Sequence, residues 1–138
     1  MQERTIYLTE KDMKRLRELV MVARSFGKEE EKYLRELENE LNRAKIVKPE
    51  DIPPNVITMN SEVSLKDLNT GEESVYRLVF PDNADISNGR LSILAPIGTA
   101  LIGYAEGDII EWPVPSGTAK LKVTKILFQP EAAGNFDL

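Results

Sequence analysis

Cysteine and histidine are both absent from this 138-residue chain. Their absence excludes disulfides, thiolate or imidazole zinc sites, Ser-His-Asp triads and Cys-His dyads. Any catalysis would therefore have to use carboxylates, lysine, tyrosine, serine or threonine. The two missing residue types lower the expectation that the protein is an enzyme, and we expect no cofactor and no metal site.

Long apolar runs are also missing. No stretch approaches the ~18 residues that would predict a membrane span. The start of the chain, Met1-Gln2-Glu3-Arg4-Thr5, lacks the basic start and apolar core of a signal peptide. We expect a cytoplasmic protein that does not bind membranes.

Basic residues are in short supply overall, since the formal net charge is −5. Residues 1–48 hold 12 Lys and Arg against 10 Asp and Glu, whereas residues 49–138 hold 6 against 13. The acidic balance argues against broad binding to a nucleic-acid backbone, which requires clustered positive charge. The asymmetry predicts two units with different contacts.

Residues 1–48 show the apolar spacing of two helices. Thr9 fits a helix N-cap with Asp12 three residues on, and a break follows at Ser25–Lys28. The second helix is predicted to begin near Glu29, because three successive glutamates suit the positive end of a helix dipole. Both helices carry one apolar stripe, formed by Met13, Leu16, Val20 and Ala23 and by Leu34, Leu37, Leu41 and Ala44.

Two matched stripes joined by a short loop predict an antiparallel helical hairpin, a short coiled coil at residues 1–48. The hairpin could protrude as an arm or pack on a core. Residues 49–55 form a proline-rich linker, and residues 56–138 form the second domain. That domain is predicted to be α+β, with an antiparallel sheet and one short helix. Its predicted strands are Val56–Met59, Glu62–Asp67, Glu73–Phe80, Leu91–Leu94, Ile109–Trp112 and Leu121–Phe128, with turns at Asn69–Gly71 and Pro115–Gly117.

The most informative segment is Leu91–Asp108. It predicts a buried strand, a Pro-Ile-Gly corner, a short helix of small residues and a Gly-Asp turn. These residues set the path of the backbone, and they do not supply the nucleophile, acid–base pair or metal ligands of a reaction site. The segment therefore favours a docking surface over a reaction site, although its residues could also serve only to build a tight turn.

Several motifs carry a family resemblance. They are Arg77-Leu78-Val79, Ala84-Asp85, Ser92, Pro96-Ile97-Gly98, Ala100-Leu101, Gly103, Gly107-Asp108 and Pro115-x-Gly117. The chain resembles the Gre transcript-cleavage factors, and within that family it looks most like the Rnk branch. The features of that branch are the short arm, Thr58–Ser61, Ala95-Pro96, and the tail Gln129–Gly134.

The resemblance implies an FKBP-like second domain and a monomer that binds core bacterial RNA polymerase at the rim of its secondary channel. It implies that the hairpin points into the channel, with a weak RNA or DNA contact in the complex. The partner-binding residues would be Ala95, Pro96, Ile97 and Gly98. The hairpin tip would be Arg24, Ser25, Phe26, Gly27 and Lys28.

Two positions depart from the Gre pattern. The Gre tip carries an acidic Asp-x-x-Glu pair that can hold a second Mg²⁺ for RNA hydrolysis, and residues 24–31 contain no such pair. The remaining carboxylates, Glu29–Glu31, are explained by the helix dipole. An Asp that precedes the Pro by two residues is replaced by Leu94.

Three further features have competing interpretations. Asp82 and Asp85 have the spacing of a Ca²⁺-binding pair, but two carboxylates are too few, which favours a loop role through bonds to backbone. A basic face on the first helix could meet RNA or simply be solvated; its members are Lys11, Lys14, Arg15, Arg17 and Arg24. Trp112 and Tyr104 could line an isomerase groove or pack in the core.

The sequence as a whole predicts a non-enzymatic transcription regulator that binds RNA polymerase and competes with Gre cleavage factors. One alternative is a weak cleavage-stimulating factor that uses Glu29–Glu31. Another is an FKBP-like chaperone or isomerase.

Overall fold

The computed structural model of the chain describes residues 5–26, 31–114 and 117–135. The predicted residues Gly27, Lys28, Glu29 and Glu30, and Pro115-Ser116 of the last turn, lie outside this part of the chain. In chain order the described helices and strands are β1 (Tyr7–Leu8), α1 (Glu10–Phe26), α2 (Glu31–Arg43), β2 (Lys45–Ile46), β3 (Glu62–Asp67), β4 (Glu73–Val79), β5 (Arg90–Ser92), α3 (Pro96–Leu101), β6 (Ile109–Val114) and β7 (Gly117–Phe128).

The start of α1 follows the prediction. The hydroxyl Oγ1 of Thr9 accepts the Asp12 amide at 3.1 Å, which satisfies one of the amides left free at a helix N-terminus. The helix α1 continues through Phe26, so the first two residues of the predicted break are helical, and the predicted C-cap, Gly27, lies outside the described residues. Met21 O also accepts a hydrogen bond from the Ser25 hydroxyl at 3.3 Å, as side chains inside helices often do.

The two helices lie side by side and are called the helix pair below. The strand β1 precedes α1, β2 follows α2, and these strands pair in parallel, Tyr7 with Lys45 and Leu8 with Ile46. The chain therefore enters and leaves the pair at one end, so the two helices run in opposite directions. The stripe residues Met13, Leu16, Val20, Leu34, Leu37 and Leu41 are buried, as the spacing predicts.

The other five strands form one sheet in the order β5-β4-β3-β7-β6. The turn between β3 and β4 is the predicted Asn69–Gly71, in which Asp67 Oδ1 accepts the amides of Asn69 and Thr70. The prediction of a wholly antiparallel sheet is wrong at one edge, because β5 pairs with β4 in parallel. Two short 3₁₀ turns, Pro81–Asn83 and Ile86–Asn88, return the chain along the sheet edge and give β5 the direction of β4.

The predicted strand at Val56–Met59 is also wrong. Val56 makes one isolated bridge, to Ala105. The chain then turns, because the Ser61 amide bonds to Thr58 O at 3.1 Å and Asn60 has a φ of 67°. A left-handed residue interrupts an extended segment, and asparagine tolerates that conformation better than most residues.

The core spans both parts of the chain. Helix residues such as Leu16 and Leu37 share one apolar cluster with sheet residues such as Val63 and Val123. The base of the helix pair is thus packed on the core, whereas the domain division at residues 49–55 stays a prediction. Within the described residues, no helix has the length and apolar character needed to cross a bilayer.

Candidate functional site

The predicted corner begins directly after β5. Ser92 Oγ accepts the amide of Leu94 at 3.0 Å, and Ser92 O accepts the amide of Ala95 at 3.0 Å. Ala95 is the extended N-cap of α3, and Pro96 is its first residue, where a backbone N–H is not required. The sequence Ser-Ile-Leu-Ala-Pro therefore ends a strand and starts a helix within a few residues.

Close backbone contact fastens α3 to β5. A Cβ on Gly98 would lie 2.0 Å from Ser92 O, so only glycine fits there. The buried hydroxyl of Thr99 donates to Ile93 O at 2.7 Å. The position of α3 is consequently fixed by close backbone contact and by this hydrogen bond, together with the fully buried side chain of Leu101.

The end of the corner contacts the entry to the helix pair. Gly103 has a φ of +87°, and a Cβ there would lie 2.5 Å from Ile6 Cγ1. Its amide bonds to Ile57 O at 3.0 Å. Asp108 Oδ2 then accepts the amide of Ala105 at 2.8 Å, which closes the predicted Gly-Asp turn.

The solvent side of the corner opens on a cleft of about 280 Å³ between α3 and the sheet, which both apolar and polar side chains line. Ile86 on its rim is 64% exposed, and Ile97 is half-buried. We call it the corner cleft; its lining residues are Leu65, Asp67, Glu72, Ser74, Tyr76, Ile86, Leu91, Ile97 and Leu121. Sequence reasoning missed Ile86, Tyr76 and the β3 and β7 residues, because only the folded sheet brings them beside α3.

The four predicted partner-binding residues are not equivalent. Ala95 and Ile97 are half-buried and reach the surface in part, Pro96 begins α3, and Gly98 is buried against β5. Gly98 thus shapes the corner and offers no side chain to a partner. Leu94, which replaces the Gre aspartate, is half-buried and packs against the core.

The predicted hairpin tip is described only in part. Arg24 and Ser25 are exposed in the last turn of α1, and Phe26 ends that helix. The Arg24 guanidinium pairs with the Glu38 carboxylate of α2. Of the three candidate glutamates, only Glu31 lies within the described residues, as the first residue of α2.

The predicted basic face is split by the fold. The Arg15 guanidinium lies 4.0 Å from the centre of the Phe80 ring, so this residue joins α1 to the sheet. Lys14, Arg17 and Arg24 instead border an apolar cleft on the helix pair that also includes Val20 and the 66%-exposed Met21. Met21 lies off the apolar stripe, which is why the spacing gave no signal for it.

The Asp82–Asp85 pair forms a loop. Asp85 accepts bonds from Ser87 Oγ and Asn88 Nδ2, both at 2.6 Å, and lies 3.5 Å from the Arg90 guanidinium. The bonds from Ser87 and Asn88 lower the pKa of Asp85. The loop role is as predicted, although its partners are mainly side chains and not backbone groups. In residues 5–26, 31–114 and 117–135, no three acidic residues cluster as metal ligands would.

The aromatic candidates of the predicted isomerase groove are separated in role. Tyr104 is half-buried and packs against the core. Trp112 lies in β6. The packing of Tyr104 agrees with the interpretation that this residue packs in the core.

The buried side chain of Asp12 has a raised pKa, which its position three residues after Thr9 did not indicate. It is only 3% exposed, and burial raises its pKa from 3.8 to about 6. The nearby Glu131 carboxylate raises this pKa further, while Arg15 and Lys11 oppose the shift. Sequence reasoning missed this pair because its members lie near opposite ends of the chain.

Comparison with known proteins decides the family. Residues 49–128 match the family model of the transcription elongation factor GreA/GreB C-terminal domain. The chain belongs to the GreA/GreB family. Residues 4–47 of this family member match the model of the Rnk N-terminus.

Individual relatives agree with this assignment. The regulator of nucleoside diphosphate kinase of Escherichia coli (strain K12) is 46% identical over 101 residues, which are 72% of this chain and 74% of that protein. The transcription elongation factor GreA of Clostridium botulinum (strain Langeland) is 33% identical over 91% of this chain and 88% of its own length.

A solved structure shows the same mixed helix and sheet fold. The prokaryotic transcription elongation factor GreA/GreB from Nitrosomonas europaea superimposes with a TM-score of 0.77 and 38% identity. The match covers 90% of this GreA/GreB family member and all of the Nitrosomonas chain. The family resemblance that the corner motifs predicted is confirmed.

Proposed function

We propose that this chain is a non-enzymatic regulator that binds bacterial RNA polymerase through the corner cleft, at the rim of the secondary channel, and competes there with Gre cleavage factors. The observation that carries the proposal is the corner cleft itself. It lies beside the family's corner motif, and its rim exposes Ile86. A concave surface that combines apolar side chains with polar groups can bind a partner and fix its orientation.

The corner offers both apolar and polar contacts to a partner. Leu94 stands at the position of the Gre aspartate, and Ile97 and Ile86 border the cleft. Asp67 and Glu72 add two carboxylates to the lining. A polymerase segment with an apolar ridge and a flanking basic residue would match this surface in shape and in charge.

The helix pair would occupy the channel entrance. The 17 residues of α1 span about 25 Å at ~1.5 Å per residue. The tip sequence has no Asp-x-x-Glu pair, and Arg24 near the tip pairs with Glu38 of α2. These features favour a plug over a cleavage factor. The proposal also includes an FKBP-like second domain, a cytoplasmic location and a monomeric state.

Binding to core polymerase is the first test. Ile86→Asp places a charge on an exposed rim residue, so we expect it to weaken binding at least tenfold without changing the thermal midpoint. Ile97→Asp in α3 is expected to do the same if its circular dichroism spectrum is unchanged. Binding would be measured by fluorescence anisotropy of the labelled protein.

Ile109→Asp is the matched control. Ile109 is 43% exposed, and its register with Lys122 places it on the sheet face opposite that of Leu121, which lines the cleft. We expect it to bind polymerase as the parent chain does. Equal binding by the Ile86 and Ile109 variants would refute the cleft as the docking site.

Competition and RNA release separate the remaining interpretations. The protein should displace a Gre factor from core polymerase, and it should not release a 3′ RNA fragment from backtracked complexes. Efficient release would support the cleavage-stimulating alternative that uses Glu29–Glu31. Absence of polymerase binding would leave the chaperone or isomerase alternative.

A further inference from the structure

A second cleft lies on the sheet face opposite the corner cleft. Along β4, Ser74 and Tyr76 line the corner cleft, whereas Val75, Arg77 and Val79 line the second one. Successive residues of a strand point to opposite faces of a sheet, so the two clefts share strands but no lining residue. We call the second one the arginine cleft; it has a volume of about 390 Å³, and its lining residues are Asn60, Glu62, Val75, Arg77, Val79, Asn83, Asn88, Gly89 and Arg90.

Two arginines enter this cleft from neighbouring strands. Arg77 of β4 is in register with Arg90 of β5 in the parallel pair. Neighbouring strands lie about 4.8 Å apart, so this register sets two cationic side chains side by side on one face of the sheet. Like charges in such positions destabilise a sheet, and the arginine pair therefore favours an anion nearby.

The carboxylates of the chain neutralise these cations only in part. The Nε atom of Arg77 is 3.9 Å from Glu62 Oε2, and Nη2 of Arg90 is 3.5 Å from Asp85 Oδ2. The Asp85 carboxylate also accepts two hydrogen bonds from side chains of its own loop. All four side chains of these pairs are between 33% and 47% exposed, so each pair adds little to stability. A guanidinium has five N–H donors, and one distant carboxylate leaves most of them available for a ligand.

An aromatic ring holds one of the two arginines in place. The Arg77 guanidinium lies 4.9 Å from the centre of the Phe128 ring. Glu62 of β3 pairs with both of these residues, so the Arg77 side chain extends across β3 towards the ring. A guanidinium stacked on a ring keeps its N–H groups free to bind oxygen atoms in its own plane. Arg77 is therefore preorganised, and it loses less conformational entropy when it binds an anion.

Asn60 gives an independent indication of a ligand. It lines the cleft and is only 8% exposed, yet its side-chain amide has no hydrogen bond to another described residue. Its φ of 67° is the one positive value of a non-glycine residue in the described part of the chain, and its backbone amide donates to Leu78 O at 2.6 Å. A buried amide without a hydrogen bond costs free energy, so a molecule in the cleft gains affinity by supplying one.

We propose that the arginine cleft binds a small phosphorylated molecule, with its phosphate between the guanidinium groups of Arg77 and Arg90. Arginine binds phosphate through paired N–H···O bonds, and two arginines match the double negative charge of a phosphomonoester. The rest of the molecule would bond to the Asn60 amide and contact Val75 and Val79. The volume of the cleft falls within the ~300–1,000 Å³ range of small-molecule sites.

The charge of the cleft agrees with this ligand. Its lining sets two cations, Arg77 and Arg90, against the single carboxylate of Glu62, although the chain as a whole carries a formal net charge of −5. An anion is therefore attracted to this place more than to the rest of the surface. The site does not depend on polymerase binding, since the corner cleft is on the other face.

Titration of the full chain with defined anions tests the proposal. Inorganic phosphate, ribose 5-phosphate, ribose and succinate would be added in turn at constant ionic strength and followed by ¹H–¹⁵N NMR. We expect both phosphates to shift the Arg77 Nε–H and the Asn60 side-chain amide in a saturable manner, and ribose to shift neither. Absence of a saturable shift with either phosphate would overturn the site. Equal affinity for succinate and ribose 5-phosphate would overturn the assignment of phosphate as the ligand group.

Arginine variants locate the binding. Arg77→Gln and Arg90→Gln should each weaken the affinity for ribose 5-phosphate at least tenfold. Lys122→Gln is the matched control, because Lys122 is in register with Lys66 and removes a cation from the same sheet face outside the cleft. We expect it to bind as the parent chain does. Equal weakening in all three variants would show a general attraction of anions to this face and would refute the cleft.

Two further variants test the other polar groups of the cleft. Asn60→Gly keeps a residue that tolerates the left-handed backbone and removes only the amide, so it should weaken ribose 5-phosphate binding at least threefold while the thermal midpoint is retained. Glu62→Gln removes the carboxylate that competes for Arg77, and it should strengthen binding at least threefold. Weaker binding by the Glu62 variant, or unchanged binding by the Asn60 variant, would contradict the proposed position of the ligand.

Discussion

The corner and the outer part of the helix pair are the two surfaces that we propose meet RNA polymerase, and they are built in different ways. In the corner, backbone lies so close to backbone that a Cβ on Gly98 would be 2.0 Å from Ser92 O. On the outer part of the helix pair, exposed side chains such as Met21 and Val22 lie on a helix whose opposite face is buried. The path of the backbone defines the surface of the corner, whereas side chains define the surface of the outer part of the helix pair.

This difference decides how mutations must be interpreted. A change in the corner alters the shape of the fold and the docking surface together, so lost binding there needs a folding control. A change at an exposed helix position alters the surface alone. The clean tests of docking in the corner are therefore rim residues such as Ile86, whose side chain is mostly in solvent.

The largest effect is expected in the corner. Gly98→Ala should destabilise the protein by at least about 3 kcal/mol, because the added methyl meets a carbonyl that cannot move without displacing β5. Urea unfolding followed by circular dichroism would measure it. Gly107→Ala is the control: its φ is +92° but no atom lies within 4 Å, so the cost should be only about 1–2 kcal/mol. Equal losses would mean that backbone conformation, and not close approach, limits the corner.

The next effect separates the two faces of the helix pair. Leu37→Ala should cost about 2–5 kcal/mol, because Leu37 is fully buried in the shared core. Met21→Ala, on the exposed face, should change the free energy of unfolding by less than about 0.5 kcal/mol. Thermal and urea unfolding would measure both. A large loss in the Met21 variant would show that this residue belongs to the core and not to a free surface.

The smallest effect concerns the ion pair between the two helices. A double-mutant cycle with Arg24→Ala and Glu38→Ala should give a coupling of about 0.5 kcal/mol or less, because both side chains are substantially exposed. The Arg43–Glu40 pair, one turn apart on α2, provides a reference of the same kind. A coupling above about 1.5 kcal/mol would show that the outer end of the helix pair is more rigid than its exposure indicates.

Local signals predicted much of the fold. The Thr9 cap, the buried stripe residues and the bounds of β3 follow from chemistry within a few residues, and the structure agrees with them. The direction of β5 does not follow, because it depends on how two short turns place the chain along the sheet edge. The strand predicted at Val56–Met59 was wrong because the segment forms only an isolated bridge at Val56 before the chain turns at Thr58–Ser61.

The sequence predicted one chain segment of the candidate site, but it did not predict the residues from elsewhere in the chain that complete the surface. The corner motif identified Ala95–Gly98, but the cleft beside it needs Tyr76, Ile86 and Leu121 from three other parts of the chain. The Asp12–Glu131 pair was missed for the same reason. Periodicity and spacing carry information over about one helix or strand, and neither reports which distant side chains meet.

The pairing of β1 with β2 has a consequence for how the family can vary in length. Because the chain departs and returns through adjacent residues, Tyr7 beside Lys45, a change in helix length beyond the residues that pack on the shared core would leave the sheet unaltered. Matching insertions of seven residues in α1 and α2 would preserve the buried seam and add about 10 Å of reach. The paired strands thus fix the base of the helix pair, so the length of the two helices can change while their attachment to the rest of the fold stays the same.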